Sequence, residues 1–514
     1  MNNLCNKTNA LVFRCSETEL YLSALASHFN DKNIKPRIFI DFPESITLIE
    51  KYFDAPCLIS WHETSRTMIK NHFVNGYKHL NSSAIQFASK YFPIAIDIMH
   101  RFKRKGSFTP QENMELYYAM LENAFDLLLS NEIKNIYFHD IPHHFDSISI
   151  YVVAKYLNIP TFILSPNYWR QTRFSIDINI EDRGWSIKNN FSISSEIDVE
   201  DGQYRNRLQK PFAGYIEPKY MRFQLKNKNI ALRLISLVFS VDGLAFQTLL
   251  DIYRMITRGP FQRYPYHTSW SRQEFYNESP PINLLQFWHG FTQRLRIIQL
   301  EKFYKKRCCK KMPDRFVLFT PNYQPEATTQ PSAGYYSSII VCLLSLRAKL
   351  PPDTVILFKE HNSCFDLRNE AYLFRSKNFY KKILEVNNVR FAPANISPAE
   401  LIEKSILVVT QTSTIALEAS LKKKITITFG SAWFNNLEYI LNWREVENME
   451  DISVLANVTD VGGVRTENKI LDNFNRFTFR NLNVTDPQFK QESRKAATLL
   501  SDIYEFERSG RDAK

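Results

Sequence analysis

Glycine is scarce in this chain, since only 13 of its 514 residues are glycine, about a third of the usual share of about 7%. The chain contains no G-x-G-x-x-G and no G-x-x-x-x-G-K-[ST] pattern, and its one glycine pair, Gly462-Gly463, does not begin a helical pattern. A Rossmann dinucleotide site and a P-loop both need such glycines, so neither is expected. A bound phosphate would have to be held by helix N-termini and side-chain hydroxyls.

Signs of secretion, membrane insertion and structural metal binding are also missing. The seven cysteines are scattered without C-x-x-C spacing, which argues against a disulfide framework and a structural zinc site and favours a reducing compartment. No apolar run reaches the ~20 residues that cross a bilayer, and the first residues, MNNLCNKTNALVF, lack the layout of a signal peptide. We therefore expect a cytoplasmic protein, either soluble or attached peripherally at the inner membrane.

The composition is that of a globular protein with two domains. Hydrophobic residues make up 44% and charged residues 23% of the chain, and its length exceeds the usual size of one core. The formal charge of +12 suits an anionic partner. The densest basic run, KFYKKRCCKK at 302–311, is interpreted first as a solvated helix face or linker, and otherwise as contact with an anionic membrane or an acidic glycan. No nucleic-acid recognition module surrounds the run, so nucleic acid is not expected as a partner.

Two parts of the chain alternate strand-like and helix-like segments. Apolar runs predict strands at 10–13, 37–40, 135–138 and 161–164, with helices at 16–30 and 147–157, and Ser16-Glu17-Thr18-Glu19 is a capping box for the first helix. After Pro313, strands are predicted at 316–319, 355–358, 389–391, 406–409 and 425–429. The pattern predicts an α/β fold: two Rossmann-like domains facing a cleft, at 1–190 and 313–514, joined by a mainly helical or irregular insertion at 191–312.

Three polar loops follow strands of the carboxyl-terminal domain. They are TPNYQPEATTQP at 320–331, Lys359-Glu360-His361-Asn362, and Thr410-Gln411-Thr412-Ser413-Thr414. In a parallel sheet the carboxyl ends of the strands meet at one edge, where ligands bind. Three hydroxyls at a helix start exceed what one cap requires, so both phosphate contact and capping are open for this third loop.

The charged side chains of these loops have two interpretations each. Lys359 and His361 suit a phosphate or a sugar hydroxyl. Glu360 either takes part in donor binding or pairs with Lys359 at the surface. Glu418, one turn beyond the hydroxyls, would hold ribose hydroxyls or face solvent.

The first loop is predicted to be stiff. Pro321 and Pro325 would restrict its backbone and aim Glu326, Thr328 and Thr329 across the cleft. A rigid contact between the domains is the alternative for this loop.

These segments resemble a known family. The stretches 323–329, Lys359-Glu360-His361 and 412–419, followed by the strand at 425–429, look like the bacterial capsular and surface polysaccharide biosynthesis proteins, which are related to the capsule Kdo transferases and have the GT-B fold. The resemblance covers about 316–434. In related transferases that use CMP-activated acidic sugars, a His-Pro pair and a Ser/Thr pair bind the nucleotide, whereas here Asn362 follows His361.

The resemblance implies a glycosyltransferase of capsule or surface polysaccharide biosynthesis, which transfers a sugar from a nucleotide-sugar donor to a glycan or glycolipid acceptor, with inversion or retention. Its donor site would comprise Lys359, Glu360, Gln411, Thr412, Ser413, Thr414, Glu418, Thr328 and Thr329. Its catalytic residues would be His361 for the leaving phosphate, Glu326 at the transferred sugar or acceptor, and Asp140 as the general base on the acceptor side, unless Asp140 is only a turn residue.

No cofactor and no metal are implied, because His139, His143 and His144 lack a matched ligand spacing. The last helix, at 489–506, is expected by analogy to cross back to the amino-terminal domain.

Two other functions stay open. A sugar-nucleotide epimerase or a CDP-alditol phosphotransferase of the same fold also pairs a strand-end histidine with a hydroxyl-rich helix start. A non-catalytic subunit that binds glycan or scaffolds an assembly would tolerate Asn362 and the lack of a clear catalytic group in the amino-terminal half.

Overall fold

The computed structural model describes residues 8–15, 18–41, 43–54, 56–60, 77–101, 110–167, 173–181, 283–324, 326, 329–367, 371–393, 396–435, 438–457, 478–480 and 482–512. The predicted insertion at 191–312 lies outside the described residues except for 283–312.

Short strands and helices alternate along both parts of the chain. The strands are β1 (Thr8–Phe13), β2 (Ile34–Asp41), β3 (Leu58–Ser60), β4 (Asn135–Phe138), β5 (Thr161–Asn167), β6 (Arg173–Asp177), β7 (Phe316–Thr320), β8 (Val355–Phe358), β9 (Val389–Phe391), β10 (Leu407–Thr410), β11 (Thr426–Thr428), β12 (Ile440–Asn442) and β13 (Phe479–Arg480). The helices are α1 (Glu19–Lys32), α2 (Ile46–Glu50), α3 (Ser82–Ser89), α4 (Phe92–Arg101), α5 (Pro110–Ser130), α6 (Phe145–Tyr156), α7 (Asn283–Arg307), α8 (Ile339–Ala348), α9 (Lys377–Glu385), α10 (Pro398–Lys404), α11 (Ile415–Leu421), α12 (Trp443–Val446) and α13 (Phe489–Asp512).

The strands form two sheets with the same internal order. Over the described residues the amino-terminal sheet runs β13-β6-β5-β4-β1-β2-β3, and the carboxyl-terminal sheet runs β12-β11-β10-β7-β8-β9. Counted from β1 and from β7, both follow the 3-2-1-4-5-6 order of Rossmann folds. All pairs in the second sheet are parallel. In the first sheet β6 runs antiparallel to both of its neighbours, β5 and β13, and the other pairs are parallel. The prediction of two Rossmann-like domains of the GT-B type is confirmed.

Continuous apolar runs form the strands because both faces of each sheet are covered. In β7 the side chains of Val317 and Phe319 enter one buried cluster, and those of Phe316 and Leu318 enter another on the opposite face. A strand buried on both faces lacks the polar alternation of a half-exposed one. This explains why FVLFT and VILF were recognisable as strands from the sequence alone.

Of two predicted helix N-caps, one is confirmed and one is wrong. Ser397 caps α10 as expected, since its side chain accepts a hydrogen bond from Glu400 N at 3.2 Å, with Pro398 in the first turn. The capping box at 16–19 is wrong for its N-cap residue, because α1 begins at Glu19 after Thr18, whose side chain makes no cap bond. Thr18 Oγ1 instead lies 2.7 Å from His139 Nε2.

The final helix, α13, packs against the amino-terminal domain. His28 on α1 bonds to Ser501 Oγ through Nδ1 and to Tyr137 OH through Nε2, each at 2.9 Å. Ser493 Oγ lies 2.9 Å from Ser23 Oγ on the same helix pair. The strand β13, which precedes α13, joins the edge of the amino-terminal sheet. The chain thus returns to its first domain after completing the second.

None of the helices that the structure describes is long and apolar enough to span a membrane.

The buried histidine between α1 and α13 makes stability depend on pH. Burial lowers the pKa of His28 from 6.5 to about 3, with a smaller contribution from Lys32. The unfolded chain therefore binds this proton more readily, so the stability that neutral His28 contributes is complete above pH 6.5 and is lost as the pH falls toward about 3. We expect the free energy of unfolding of His28→Gln to fall less steeply than that of the wild type between pH 6.5 and about 4. Urea denaturation at several pH values measures both slopes.

The control for this experiment is Ser83→Ala, which changes an exposed residue of α3 in the same domain that has no titrating group, and it should keep the wild-type slope. Identical slopes for the wild type and His28→Gln would contradict the assignment.

Candidate active site

The strand order reverses at one point in each sheet, and polar loops follow the strands on either side of it. In the amino-terminal sheet this point lies between β1 and β4, and in the carboxyl-terminal sheet between β7 and β10. At such a switch point the adjacent loops diverge to opposite faces and leave a crevice that usually binds the ligand. The crevices locate the candidate donor and acceptor sites.

On the donor side, Asn322 ties the loop after β7 to the loop after β10. Its side chain accepts from Thr412 N at 3.0 Å and donates to Thr412 Oγ1 at 2.7 Å, while Gln411 Oε1 accepts from Asn322 N at 3.2 Å. Gln411 Nε2 also donates to the carbonyls of Tyr336 and Ser337. Gln411 and Thr412 are thus held by protein groups and fix the shape of the loop.

A buried ion pair ties in the loop after β8. Both side chains of the Glu360–Arg375 pair are fully buried, with Arg375 Nε 2.9 Å from Glu360 Oε2. Tyr380 OH and His361 N also donate to the carboxylate, each at 2.9 Å. Burial raises the pKa of Glu360, but the Arg375 guanidinium and these hydrogen bonds more than offset it and hold the pKa below its usual value. The surface pair with Lys359 that the sequence left open for Glu360 is wrong, because this carboxylate is inside the domain.

Arg375 extends the same connection to the first loop. Its Nη1 donates to Gln324 Oε1 at 2.8 Å and its Nη2 donates to Asn322 O at 3.2 Å. Sequence reasoning missed Arg375, since it lies outside the strand-end loops and a buried arginine has no local signature. Together Arg375 and Asn322 join all three loops into one hydrogen-bonded unit.

Lys359 points its ammonium group at its own loop. It is 4% exposed, and its Nζ donates to Glu360 O at 3.3 Å and to Asn362 Oδ1 at 3.2 Å. Burial lowers the pKa of Lys359, against the opposing effect of Glu360. Asn362, which replaces the proline of the related motif, therefore holds the lysine in place.

His361 is poised as a hydrogen-bond donor. Its Nδ1 accepts from Ser363 N at 3.2 Å, so the neutral ring carries its hydrogen on Nε2. Burial lowers the pKa of His361 to about 4, with Lys359 and Arg375 acting in the same direction. The ring is therefore neutral at physiological pH and offers an N–H to a ligand oxygen.

The accessible hydroxyls of the third loop are those of Ser413 and Thr414. Ser413 is half-buried and accepts weakly from Ile415 N at 3.5 Å, whereas Thr414 is exposed and makes no side-chain cap bond to α11. Glu418, on α11, is largely covered, and burial raises its pKa despite Lys422. The side chains of Ser413 and Thr414 are thus more accessible than that of Thr412, which is buried.

The residues of the first loop that were predicted to point across the cleft differ in their burial. Thr329 is fully buried and its hydroxyl donates to Tyr323 O at 3.3 Å, so the expectation that it points across the cleft is corrected. Glu326 is half-buried, and its carbonyl closes a turn by accepting from Thr329 N and Gln330 N. Thr328 lies outside the described residues.

One glycine is required at this edge. A Cβ at Gly430 would lie 2.5 Å from Thr412 Cγ2, 2.7 Å from Ala333 Cα and 2.8 Å from Ser332 O. Any side chain would push the loop after β11 away from the other two loops. The few glycines of the chain thus include one that packs loops together.

On the acceptor side, Asp140 lines a cavity of about 190 Å³ at the carboxyl ends of β1 and β4. Asp140 is 36% exposed. Its Oδ1 accepts from Ile141 N at 2.7 Å and its Oδ2 lies 3.6 Å from His143 Nδ1. The cavity is lined by Phe13, Arg14, His139, Asp140, Ile141, His143, His144 and Ser147.

Hydrogen bonds connect the donor-side loops to the amino-terminal domain. Ser337 Oγ donates to Asp97 Oδ2 at 2.6 Å, and Tyr335 OH donates to Lys90 O at 3.3 Å. Since Gln411 donates to Ser337 O, the loop after β10 is linked through Ser337 to α4. The two candidate sites belong to parts of the molecule that are in direct contact.

A group of possible metal ligands lies outside the cavity. One ligand atom each from His79, Glu122 and Asp126 lies within 4.8 Å of the others. Both Glu122 oxygens already accept from the backbone N–H groups of Lys78, His79 and Leu80, which gives the carboxylate a structural use.

The basic run at 302–311 lies mostly on the outer face of α7. Lys302, Lys305, Lys306 and Arg307 are exposed, whereas Tyr304 is buried and its hydroxyl donates to Phe358 O and Ala392 O. This is the solvated helix face that the sequence favoured. Contact with an anionic membrane stays a prediction, which co-sedimentation with anionic vesicles would check.

Removing the buried cation should cost far more than removing an exposed one. We expect Arg375→Gln to lower the free energy of unfolding by about 3–5 kcal/mol, because Glu360 would stay buried without its partner. The change is measured by urea denaturation at pH 7. Lys404→Gln breaks the Lys404–Glu400 pair, whose side chains are 56% and 48% exposed, and should cost less than about 1 kcal/mol.

The double variant Glu360→Gln/Arg375→Gln separates charge from packing. It should recover part of the loss, since no unpaired charge remains. Equal losses for Arg375→Gln and Lys404→Gln would contradict the importance of this ion pair.

Comparisons with known proteins bear on the donor-side half of the chain. Residues 271–437 match the family model described as capsule polysaccharide biosynthesis protein. The search of curated protein sequences found no match.

Similar solved structures include two from Thermosulfurimonas dismutans and one from Methanocaldococcus jannaschii. KpsC, beta Kdo 2,7 transferase, is 10% identical over 83% of this chain and 98% of that one, with a TM-score of 0.27. KpsC, beta Kdo 2,4 transferase, is 11% identical over 64% and 79%, with a TM-score of 0.24. The M. jannaschii UDP-GlcNAc 2-epimerase is 11% identical over 97% and 99%, with a TM-score of 0.20. These TM-scores are low, so the description of the fold depends on the strand order of the two sheets and not on these superpositions.

The family match includes all three donor-side loops and confirms the predicted resemblance. Residues 271–437 of this chain are thus similar to the capsule polysaccharide biosynthesis proteins.

Proposed function

We propose that the protein is a glycosyltransferase of capsule or surface polysaccharide biosynthesis, which transfers a sugar from a nucleotide-activated donor to a glycan or glycolipid acceptor. The observation that carries the proposal is the pairing of two switch-point sites in contacting domains. One presents cationic and hydroxyl groups, and the other presents a cavity with a carboxylate.

The donor site would act on the leaving phosphate. Breaking the bond from the anomeric carbon to the nucleotide develops negative charge on phosphate oxygens, which preorganised donors stabilise. Lys359 supplies a positive charge held by Asn362, His361 supplies its Nε2–H, and Ser413 and Thr414 supply accessible hydroxyls. Because α11 has only seven residues, these side chains matter more than its dipole.

The other predicted donor residues fall into two groups. Gln411, Thr412, Glu360 and Thr329 are used within the protein, so we assign them the support of the loops. Glu418 and Glu326 keep the proposed contacts, with ribose hydroxyls and with the transferred sugar or acceptor respectively. No cofactor beyond the nucleotide-sugar substrate enters this scheme.

The acceptor site would supply the base. An acceptor hydroxyl attacks the anomeric carbon more readily when its proton is taken by a neighbouring side chain, and such catalysis contributes about 10²–10⁴-fold to a rate. Asp140 is the predicted group, and the cavity gives an acceptor hydroxyl a place beside it.

Nucleotide binding tests the donor site. We expect His361→Ala and Ser413→Ala each to weaken binding of CMP, UDP or GDP, whichever the wild type binds, by about tenfold or more, because each change removes a hydrogen bond to a charged phosphate. Isothermal titration calorimetry measures the affinity. His79→Ala and Ser83→Ala, both in the amino-terminal domain, are the matched controls and should bind like the wild type. Unchanged affinity in His361→Ala and Ser413→Ala for every nucleotide would refute the donor-site assignment.

Dependence on an acceptor separates transfer from the other activities. We expect the wild type to release nucleotide from CMP-, UDP- or GDP-linked sugars at least about tenfold faster when a glycolipid extract of capsulated bacteria is added, because transfer needs an acceptor hydroxyl. Chromatography of the released nucleotide and of the labelled glycolipid measures both products. Conversion of the donor sugar without any acceptor would indicate an epimerase, and nucleotide binding without turnover would indicate a non-catalytic subunit.

A further inference from the structure

The acceptor-side cavity holds an aspartate and a histidine arranged as a pair. His143 lines the cavity and is 17% exposed, and its Nδ1 lies 2.7 Å from Ile141 O and 3.6 Å from Asp140 Oδ2. A carbonyl oxygen accepts only, so Nδ1 must carry a hydrogen. In the neutral ring the basic lone pair is therefore on Nε2.

One oxygen of the carboxylate is already engaged. Asp140 Oδ1 accepts from Ile141 N at 2.7 Å. Its other oxygen faces the Nδ1 side of His143. At 3.6 Å the carboxylate makes no hydrogen bond to Nδ1, whose hydrogen goes to Ile141 O, but its charge stabilises the imidazolium that forms when His143 takes a proton.

We propose that His143 is the general base for the acceptor and that Asp140 is its positioning residue, an inference that rests on the proposed function. The acceptor O–H bond breaks and its proton passes to His143 Nε2, while the oxygen forms a bond to the anomeric carbon. The bond from that carbon to the nucleotide breaks, and its electron pair leaves with the phosphate. His143 returns the proton to solvent after the product departs.

The surrounding charges act on His143 in both directions. Asp140 stabilises its protonated form, and Asp146, at the start of α6, adds a second buried carboxylate nearby in the chain. Arg14 opposes protonation, and its Nη1 donates to His144 Nε2 at 3.2 Å, which fixes the neighbouring imidazole as an acceptor. His139 is occupied with Thr18 Oγ1. His143, in contrast, faces the carboxylate of Asp140.

Two features of the fold support a dedicated site. Arg14, which follows β1 and lines the cavity, adopts a left-handed backbone with a φ of 55°, a conformation that costs energy for a residue with a side chain and clusters at functional sites. Its backbone N is held by Ile40 O at 2.8 Å. Cys15, the next residue, is buried in the hydrophobic cluster that also contains Ala416 and Leu417 of α11.

The pH profile of transfer tests the proposal. For the wild type, kcat/KM for the acceptor should fall on the acid side with a midpoint of about pH 6–7, the range of an imidazole. His143→Gln should lower kcat by about 10²-fold or more with little change in KM for the donor, and should remove this limb. Asp140→Asn should lower kcat less and shift the limb to lower pH, because the imidazolium loses its carboxylate. His79→Gln, in the same domain and outside the cavity, is the control and should match the wild type.

Opposite results identify a different base. If Asp140→Asn abolishes transfer while His143→Gln keeps the wild-type rate and acid limb, Asp140 is the base and the proposal is overturned. If the wild type transfers no sugar to any acceptor, the proposed function fails and this inference fails with it. A wild-type enzyme that transfers sugar and is unaffected by His143→Gln overturns the inference alone.

Histidine nitrogen NMR supplies a readout that does not depend on activity. In protein labelled with ¹⁵N-histidine, the signal lost in His143→Gln should show the Nδ1–H tautomer in the wild type at neutral pH. Finding the Nε2–H tautomer there would overturn the proposal even if His143→Gln were inactive through misfolding.

Discussion

The buried ion pair between Glu360 and Arg375 is the constraint on which the donor-side loops depend. Neither charge would be tolerated alone inside the domain, because burying an ion without its partner costs several kcal/mol. The loop that carries Glu360 and the segment that carries Arg375 must therefore stay together. Arg375 also donates to Asn322 O and to Gln324 Oε1, and Asn322 bonds to Thr412. Hydrogen bonds thus join the loops after three strands into one unit, which keeps Lys359, His361 and Ser413 in fixed relative positions without any ligand.

The shared strand order gives the two domains equivalent binding edges. The switch point of the first sheet has the cavity with Asp140 and His143, and that of the second has the loops joined by Asn322. Contacts between Ser337 and Asp97 and between Tyr335 and Lys90 link the domains, and α13 packs back onto α1. Ser337 also accepts a hydrogen bond from Gln411. A displacement of the donor-side loops would therefore displace Ser337 and its hydrogen bond to Asp97 on α4. A two-substrate reaction needs this kind of closeness, since the reacting atoms must meet within about 3–3.5 Å.

The sequence predicted what depends on local pattern and missed what depends on distant partners. Strands such as Val355–Phe358 and Val389–Phe391 were bounded correctly because they are short apolar runs between turn residues. The strands Arg173–Asp177 and Phe479–Arg480 were missed, and the pairing between them joins residues far apart in the chain. The three loops were located from their strands, yet the sequence could not tell that Thr412 and Thr329 bond inward while Ser413 and Thr414 remain accessible. For Glu360 the sequence left donor binding and a surface pair with Lys359 open, and it could not show the burial, because the partner Arg375 is 15 residues away in a segment with no recognisable pattern.

The shortage of glycine has a physical consequence for recognition. In a dinucleotide-binding Rossmann fold, glycines after the first strand let the backbone approach a pyrophosphate. Here the corresponding positions are Arg14 after β1 and Pro321-Asn322 after β7, and Arg14 takes up a left-handed conformation that glycine would adopt without cost. The glycine that this edge does contain, Gly430, is used to bring protein loops together. Contact with a ligand at either switch point must therefore come mainly from side chains. Such a site is specified by the lengths, charges and tautomers of a few residues, which is why the supports of Lys359, His361 and His143 matter as much as the groups themselves.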